Sequence, residues 1–222
     1  MGLAHSPRIV TDGLVLALDA GNTKSYPGSG TTWTDLTGNG NDGTLQNGVG
    51  FDSGNGGSLT FDGVDDYVNL SSSSSLTFGS GNFSIDLSLK ISTIKSNQYF
   101  FDFGANRFAF QYYNNFGTYV LRYLTQGISI KDTPYTLVQN QIYNFCIVRN
   151  SGNGYLFLNG NQINSWVDNE TYTSNTLNIG RYGLSNVANL NGNVYTFKGY
   201  NRALTASEVS QNFNALRGRY GI

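Results

Sequence analysis

The carboxyl-bearing residues of this sequence are too sparse for glycoside hydrolysis. That reaction needs two carboxylates flanking one sugar linkage, about 5–5.5 Å apart in retaining enzymes. The two glutamates are Glu170, in a polar segment, and Glu208, at the start of a helical pattern. Asp86 and Lys90 share one strand face without a second acid two residues away. His5 is the one histidine, so the sequence offers neither a rigid catalytic triad nor a zinc cluster. We expect a protein that is not an enzyme.

Another group of acids is spaced closely enough to bind a cation. Asp62, Asp65 and Asp66 lie in one short segment, and Asp19 with Asn22 offers a further pair of side-chain oxygens. Carboxylate and amide oxygens are the ligands that Ca²⁺ prefers. The same residue types also form turns in which the side chain accepts a hydrogen bond from a nearby backbone amide. The sequence leaves a calcium site and a set of such turns as alternatives, and it requires no other cofactor.

A cluster of aromatic and amide side chains marks a third candidate site, at a turn between two strand patterns. Aromatic faces beside amide groups suit contact with sugar rings or with another protein. Half-buried strand positions flanking a turn are the alternative, and they account for Tyr112 and Tyr119 better than for Tyr113 and Phe116. The full set of contact candidates is Tyr112, Tyr113, Asn114, Asn115, Phe116 and Tyr119.

Short antiparallel strands surround these candidate residues. From Phe83 to Ile91, apolar and polar residues alternate without interruption, which predicts a half-buried strand with Asp86 and its polar neighbours on the outer face. Asn159-Gly160 between two strand patterns predicts a tight hairpin. The spacing of the strand patterns predicts an all-β fold built as a two-sheet antiparallel β-sandwich. The inward-facing positions of the alternating strand are Phe83, Ile85, Leu87, Leu89 and Ile91.

One short helix is predicted near the C-terminus. Thr205 and Glu208 form a capping box, in which each side chain accepts from the backbone amide of the other residue. Val209 and Phe213 follow at helical spacing. Gly38 to Gly43 matches the glycine pattern of dinucleotide-binding loops, yet it lacks the preceding strand and following helix that such a site needs. We interpret that segment as a cluster of turns.

Composition excludes several classes of function. Charged residues make up 12 % of the chain, the formal net charge is −1 and the isoelectric point is about 5.7. Without a run of Lys or Arg, nucleic acid is not an expected partner. The first thirteen residues contain no long apolar stretch, which predicts no signal peptide, and Leu14 to Leu18 is too short to span a membrane. Cys146 lies in a strand pattern and is expected to be a buried, unreactive thiol.

Three segments resemble one known family. Residues 200–204 (YNRAL) with the capping box, residues 61–68 (FDGVDDYV), and the block LDAGNT…WTDLTGNGNDGTL within residues 16–45 are similar to the concanavalin A-like, laminin-G-type jelly-roll domains. The last block resembles the version found in structural proteins of tailed bacteriophages, especially marine and cyanobacterial ones. The resemblance implies a jelly roll. Domains of this family often hold one calcium ion at the rim of the sandwich, so the resemblance is also compatible with one structural calcium here.

The resemblance further implies a domain organisation and a role. Residues 1–12 are expected to form an arm, and residues 13–222 a single laminin-G-like domain. The leading expectation is a capsid decoration or accessory protein, made in the host cytoplasm, located on the virion, and docked to capsid or tail proteins through Arg8, Ile9 and Val10. The alternative is a lectin-like module that binds host polysaccharide, for example on a tail fibre. A homo-oligomer is compatible with either of these two roles.

Overall fold

The structure is a computed structural model that describes residues 7–71, 73–104, 108–125, 129–173, 176–183 and 187–222. Within these ranges no helix is long and apolar enough to cross a membrane. The elements are β1 (Leu14–Asp19), β2 (Thr32–Trp33), β3 (Gly43–Gln46), β4 (Gly50–Asp52), β5 (Ser58–Asp62), β6 (Tyr67–Leu70), β7 (Phe83–Ile91), β8 (Asn97–Asp102), β9 (Phe108–Asn115), β10 (Thr118–Thr125), β11 (Ser129–Pro134), β12 (Ile142–Asn150), β13 (Asn153–Leu158), β14 (Asn161–Val167), β15 (Leu177–Ile179), β16 (Asn191–Tyr200) and α1 (Ala206–Tyr220), with 3-10 turns at Gly54–Gly56 and Ser74–Leu76.

The strands form two antiparallel sheets. Sheet A has the order β14-β13-β12-β7-β16-β5-β4, and β1 pairs with the second half of β16 beside β5. Sheet B has the order β11-β10-β9-β8-β15-β6-β3-β2. The four consecutive strands β8 to β11 form a meander within sheet B. The all-β, two-sheet antiparallel sandwich is confirmed, and β2, β3 and β4 are short strands that strand patterns do not reveal.

The main core lies between the two sheets. The five inward residues predicted for β7 are all buried there, so the alternation of that strand assigns its core face correctly. Aromatic rings from sheet B fill much of the remaining space: Phe103 and Phe108 stack with centroids 4.3 Å apart, and Phe101 meets Phe197 of sheet A edge to face at 5.5 Å. Large flat rings let a chain with a modest apolar share fill this core.

The opposite face of β7 departs from the prediction of a half-buried strand. Ser84, Asp86 and Ser88 are fully buried, although their alternation with apolar residues predicts an outer face in contact with water. The reason is tertiary: α1 and the N-terminal segment cover the outside of sheet A. Val209 of α1 packs in an apolar cluster with Val148 and other residues of that sheet. Polar groups on this face are therefore enclosed between sheet and helix.

The local signals for the hairpin and the helix are confirmed. Asn159 and Gly160 both have positive φ (48° and 80°) and join β13 to β14. At the start of α1, Thr205 Oγ1 accepts from the amide of Glu208, and the Glu208 carboxylate accepts from the amide of Thr205. Gly221 ends the helix with φ 73°. The helix has fifteen residues and extends beyond the pattern that ends at Phe213.

The described part of the N-terminal arm docks on its own domain. The Val10 amide donates to Asn212 Oδ1 of α1 at 2.8 Å, and the Tyr200 hydroxyl donates to the Val10 carbonyl at 3.1 Å. The Val10 side chain is buried in the cluster under α1. The prediction that Val10 anchors another protein is therefore wrong, because its side chain and its amide are engaged within its own chain. Arg8 is exposed and Ile9 is half-buried.

Candidate functional site

The outer face of sheet B is the broad polar surface on the side of the sandwich away from α1. The helix contacts β12 and β14 of sheet A, so it lies on the opposite side of the molecule. Side chains alternate along a strand, and in β9 Phe110 and Tyr112 point into the core. Gln111 and Tyr113 therefore point outward. Tyr99 and Arg122 are the ladder partners of Gln111, so the same face continues over three adjacent strands. Gln111, Tyr99 and Arg122 are largely buried on this face, and Tyr113 is half-buried.

We call this surface the tyrosine face. It combines phenol rings with guanidinium groups. Its defining residues are Tyr67, Tyr99, Tyr113, Tyr182, Arg122 and Arg181.

Arg122 is fixed in place on the tyrosine face. Its guanidinium lies 3.8 Å from the centroid of the Tyr113 ring and makes two 2.7 Å hydrogen bonds to the Asp132 carboxylate. These hydrogen bonds raise the pKa of Arg122, although burial acts in the opposite direction. Asn115 Nδ2 also donates to Asp132, at 3.3 Å. The ring, the guanidinium and the amide are held in a defined arrangement before any ligand arrives.

A second aromatic group lies at the other end of the face. Arg181 sits over the Tyr67 ring at 3.6 Å, and the Tyr182 ring lies 5.1 Å from that of Tyr99. The segment after β15 carries Arg181 and Tyr182, and it is tied to β8 because Asp102 Oδ2 accepts from the Gly183 amide at 3.0 Å. The face is thus a broad surface supported by strands, a shape that suits an extended ligand better than a small enclosed one.

The residues predicted to form an aromatic cluster at the β9–β10 turn fall into a buried group and an accessible group in the structure. Tyr112 is fully buried, stacks on Tyr119 at 5.0 Å and accepts from the Leu137 amide at 3.0 Å, so it is wrong as a contact residue. Its position on the strand faces the core. Asn114 Oδ1 accepts from the amide of Gly117 and stabilises the turn.

Tyr113, Asn115 and Phe116 are accessible. Phe116 is fully exposed at the tip, with a φ of 49° that is unfavourable for an aromatic residue. Reasoning from the sequence missed Tyr67, Tyr99 and Arg122. The period-two pattern of β8 to β10 signals which residues point outward, but only the pairing of the strands brings them together.

The three acids predicted as a cation site are close together. One carboxylate oxygen from each of Asp62, Asp65 and Asp66 lies within 4.8 Å of the others. Oxygens on opposite sides of one Ca²⁺ are about 4.6–5.2 Å apart, so the spacing fits. Burial raises the pKa of Asp66, and the neighbouring carboxylates add to this effect against a hydrogen bond from the Asp62 amide. The turn alternative is also present, since Asp62 Oδ1 accepts from the Val64 amide at 2.7 Å.

The prediction that Asp19 belongs to the cation-binding residues is wrong. Asp19 Oδ2 accepts from Arg219 of α1 at 2.9 Å, and its Oδ1 accepts from the Gly21 amide at 3.0 Å. Asn22 caps the Lys24 amide instead of joining Asp19 around a cation. A helix that is remote in sequence supplies the partner, which a local reading of the LDAGNT segment cannot reveal.

Glu208 is engaged in structural contacts. Its carboxylate accepts from Arg202 at 2.7 and 2.9 Å and from the Thr205 amide at 2.8 Å. The Arg202 hydrogen bonds lower the pKa of Glu208 to about 2, against a smaller opposing effect of burial. A general acid must hold a proton near the working pH. Glu208 therefore does not have the properties of one.

A family model for the concanavalin A-like lectin/glucanases superfamily, Laminin_G_3, matches residues 61–210. The chain belongs to this superfamily. The matched region runs from β5 into α1 and contains most of both sheets, including the tyrosine face. No curated protein sequence matches the chain.

Solved structures share this superfamily fold at low sequence identity. The binding domain of Paraclostridial Mosquitocidal Protein 1 is 18 % identical over 91 % of this chain and 52 % of that one, with a TM-score of 0.72. Trypanosoma rangeli sialidase is 17 % identical over 95 % of this chain and 33 % of its own, with a TM-score of 0.71. The chain thus spans about half of the toxin domain and a third of the sialidase.

One similar structure has nearly the same extent as this chain. Domain 4 of AbnA, a GH43 extracellular arabinanase from Geobacillus stearothermophilus, was solved in complex with arabinotriose. It is 16 % identical, covers 90 % of this chain and 97 % of its own length, and has a TM-score of 0.70. At this identity the likeness establishes a shared fold.

Proposed function

We propose that the protein is a non-catalytic carbohydrate-binding module whose ligand is an extended polysaccharide. The observation that carries the proposal is the tyrosine face, where Tyr113 and Arg122 form a prearranged stack between hydrogen-bonding side chains. Sugar rings present apolar C–H faces and a rim of hydroxyl groups. The face of the Tyr113 ring that Arg122 does not cover offers the apolar surface, while the guanidinium N–H groups that Asp132 does not bind and the amide groups hydrogen-bond to the hydroxyls.

Two further features support a binding role over catalysis. The tyrosine face is broad, so several sugar units of one chain have room to lie across it. The Glu208 carboxylate is held by Arg202 and by the helix cap, away from any acid–base role. The fold shared with domain 4 of AbnA, which was solved with arabinotriose, is compatible with a sugar ligand.

Binding to polysaccharides tests the proposal directly. We expect the purified chain to bind at least one member of a glycan array of bacterial surface polysaccharides and plant glucans and arabinans. Tyr113→Ala is expected to weaken that binding about tenfold or more, because central aromatic contacts commonly contribute ~2 kcal/mol. The control is Tyr155→Ala, which alters a half-buried tyrosine on sheet A.

Two results would contradict the proposal. One is the absence of binding to every polysaccharide by folded protein. The other is binding that Tyr113→Ala and Tyr155→Ala leave equally strong. Hydrolysis of a bound glucan, abolished by changing a single acid, would instead identify an enzyme.

We infer a second, finer role: the module is part of a tailed-phage virion, as a capsid decoration or accessory protein or on a tail fibre. The observation that favours it is the segment LDAGNT…WTDLTGNGNDGTL, which resembles phage versions of the domain. Arg8 and Ile9 remain accessible at the start of the described chain and are the docking candidates for capsid or tail proteins. The two roles are compatible, because a module attached to the particle can bind host polysaccharide.

Purified phage particles test the virion role. Mass spectrometry of particles whose genome encodes this chain is expected to find it in fixed stoichiometry with the capsid or tail proteins. Particles assembled with Arg8→Glu/Ile9→Asp should carry less of it, while Lys24→Glu, an exposed charge change elsewhere, should not alter occupancy. Absence of the chain from complete particles would exclude this role and leave polysaccharide binding untouched.

A further inference from the structure

A lysine, a carboxylate and a carboxamide meet under α1 on the three central strands of sheet A. Lys198 of β16 and Asp86 of β7 are register partners, and Asn144 of β12 is paired with Ser88. Lys198 Nζ lies 2.6 Å from Asp86 Oδ1, and Asn144 Nδ2 donates to the same oxygen at 3.2 Å. Lys198 Nζ and Asn144 Nδ2 therefore contact the same oxygen of Asp86, which places the two nitrogens close to each other.

This group is enclosed and its hydrogen bonding is incomplete. The side chains of Lys198 and Asp86 are 4 % and 0 % exposed, and Asn144 is buried beside them. Within the described residues, Asp86 Oδ2 and Asn144 Oδ1 are buried without a hydrogen-bond partner. Buried charges and unsatisfied acceptors both destabilise a folded protein. A reaction that removes the charges and pairs these oxygens is therefore favoured at this site.

We propose that Lys198 and Asn144 become joined by an intramolecular isopeptide bond, with Asp86 as the proton carrier. Asp86 takes one proton from the Lys198 ammonium, and the free amine attacks Cγ of Asn144. The Nζ–Cγ bond forms and the Cγ–Nδ2 bond breaks. The departing nitrogen takes up a second proton from Nζ and leaves as ammonia. The products are one secondary amide, one ammonia and a protonated Asp86, so no oxidant or other reactant is required.

The electrostatics of the site assign Asp86 its part in the reaction. Burial lowers the pKa of Lys198, but Asp86 in direct contact, together with Tyr220 and Asp19, outweighs this effect, so the net pKa is raised and Nζ begins as an ammonium. Only a base in direct contact can remove that proton in a site closed to water, and Asp86 is in contact. Cys146 is not a competing nucleophile, because burial raises the pKa of its thiol well above the usual value.

The product resolves the unfavourable features of the starting site. No ionic charge remains buried, and the protonated Asp86 carboxyl can donate to the new amide carbonyl while its other oxygen accepts from the new N–H. The bond would tie β12 to β16 across β7. The central strands of sheet A could then no longer separate, which would protect the fold in a module exposed to force or proteases.

Intact-mass spectrometry of the denatured full-length chain tests the proposal. We expect a mass lower than that of the sequence by one ammonia, and a branched proteolytic peptide that joins the segments containing Lys198 and Asn144. Lys198→Arg retains a cation beside Asp86 but lacks the nucleophilic amine, so it should show the full mass. Asn144→Ser should do the same, whereas the control Lys90→Arg on β7 should keep the deficit.

Cyclisation of an Asn-Gly sequence to a succinimide also releases ammonia, and the chain contains several such sequences. A succinimide hydrolyses in mild alkali and yields no branched peptide, so the deficit must survive that treatment. The proposal is overturned if folded protein, incubated at neutral pH and raised temperature, keeps its full mass. It is also overturned if Lys198→Arg retains the deficit.

Discussion

At the residue scale, Asp66 is a buried carboxyl beside two others, and its raised pKa reflects that position. A divalent cation bound to Asp62, Asp65 and Asp66 would favour the ionised form and stabilise the fold. We predict that millimolar Ca²⁺ raises the melting temperature, because a ligand that binds only the folded state stabilises it by mass action. Chelation should reverse the increase.

The control for the calcium prediction is Asp52, an exposed acid that caps a loop elsewhere. Asp66→Asn should abolish the calcium-dependent increase, while Asp52→Asn, which removes the charge beside the Gly54 amide, should preserve it. Melting temperatures that are equal with and without Ca²⁺ would leave the three acids as turn-forming residues. Thermal scans of all three proteins decide between these outcomes.

The hydrogen bonds of Glu208 lead us to predict that the stability of the folded protein depends on pH. The folded pKa of Glu208 is about 2 and its ordinary value is 4.5, so its ionised form stabilises the folded state above the ordinary value. That contribution decreases as the pH falls from about 5 towards 2. Glu208→Gln should therefore destabilise the protein at pH 7 and have a much smaller effect at pH 2.5. Urea denaturation of both proteins at the two pH values measures this difference. An effect independent of pH would contradict the prediction.

At the element scale, the N-terminal segment belongs to the folded domain. Deleting residues 2–10 should destabilise the protein by about 1–3 kcal/mol, because the Tyr200 hydroxyl and the Asn212 amide lose partners in a buried site. Deleting residues 2–6 removes none of the described contacts and is the matched control. Denaturant unfolding measures both variants. Equal stabilities would show that the contacts of Val10 contribute little.

At the scale of the whole molecule, one continuous core joins both sheets, so the sandwich is expected to unfold in a single transition. Leu87 is fully buried at the centre of β7. Leu87→Ala should lower the free energy of unfolding by about 2–5 kcal/mol and still give one transition. Calorimetry would contradict this view of the core if the melting temperature is unchanged or if two separate transitions appear.

The sequence by itself determined the features that depend on neighbouring residues. The alternation in β7, the positive-φ turn at Asn159-Gly160 and the reciprocal cap of Thr205 and Glu208 each follow from the stereochemistry of a few adjacent residues. Together they indicate the strands, the closing helix and the sandwich. The motifs around them also indicated the superfamily, since those residues build its turns and its helix cap.

Only the tertiary structure decided which polar and aromatic side chains are buried. Asp86 is enclosed because a helix more than a hundred residues later covers its strand, and Asp19 is neutralised by Arg219 of that helix. Tyr112 lies in the core while its neighbour Tyr113 points outward to meet Arg122. These outcomes depend on pairing and packing between distant segments, and the local sequence carries no record of the partner's position.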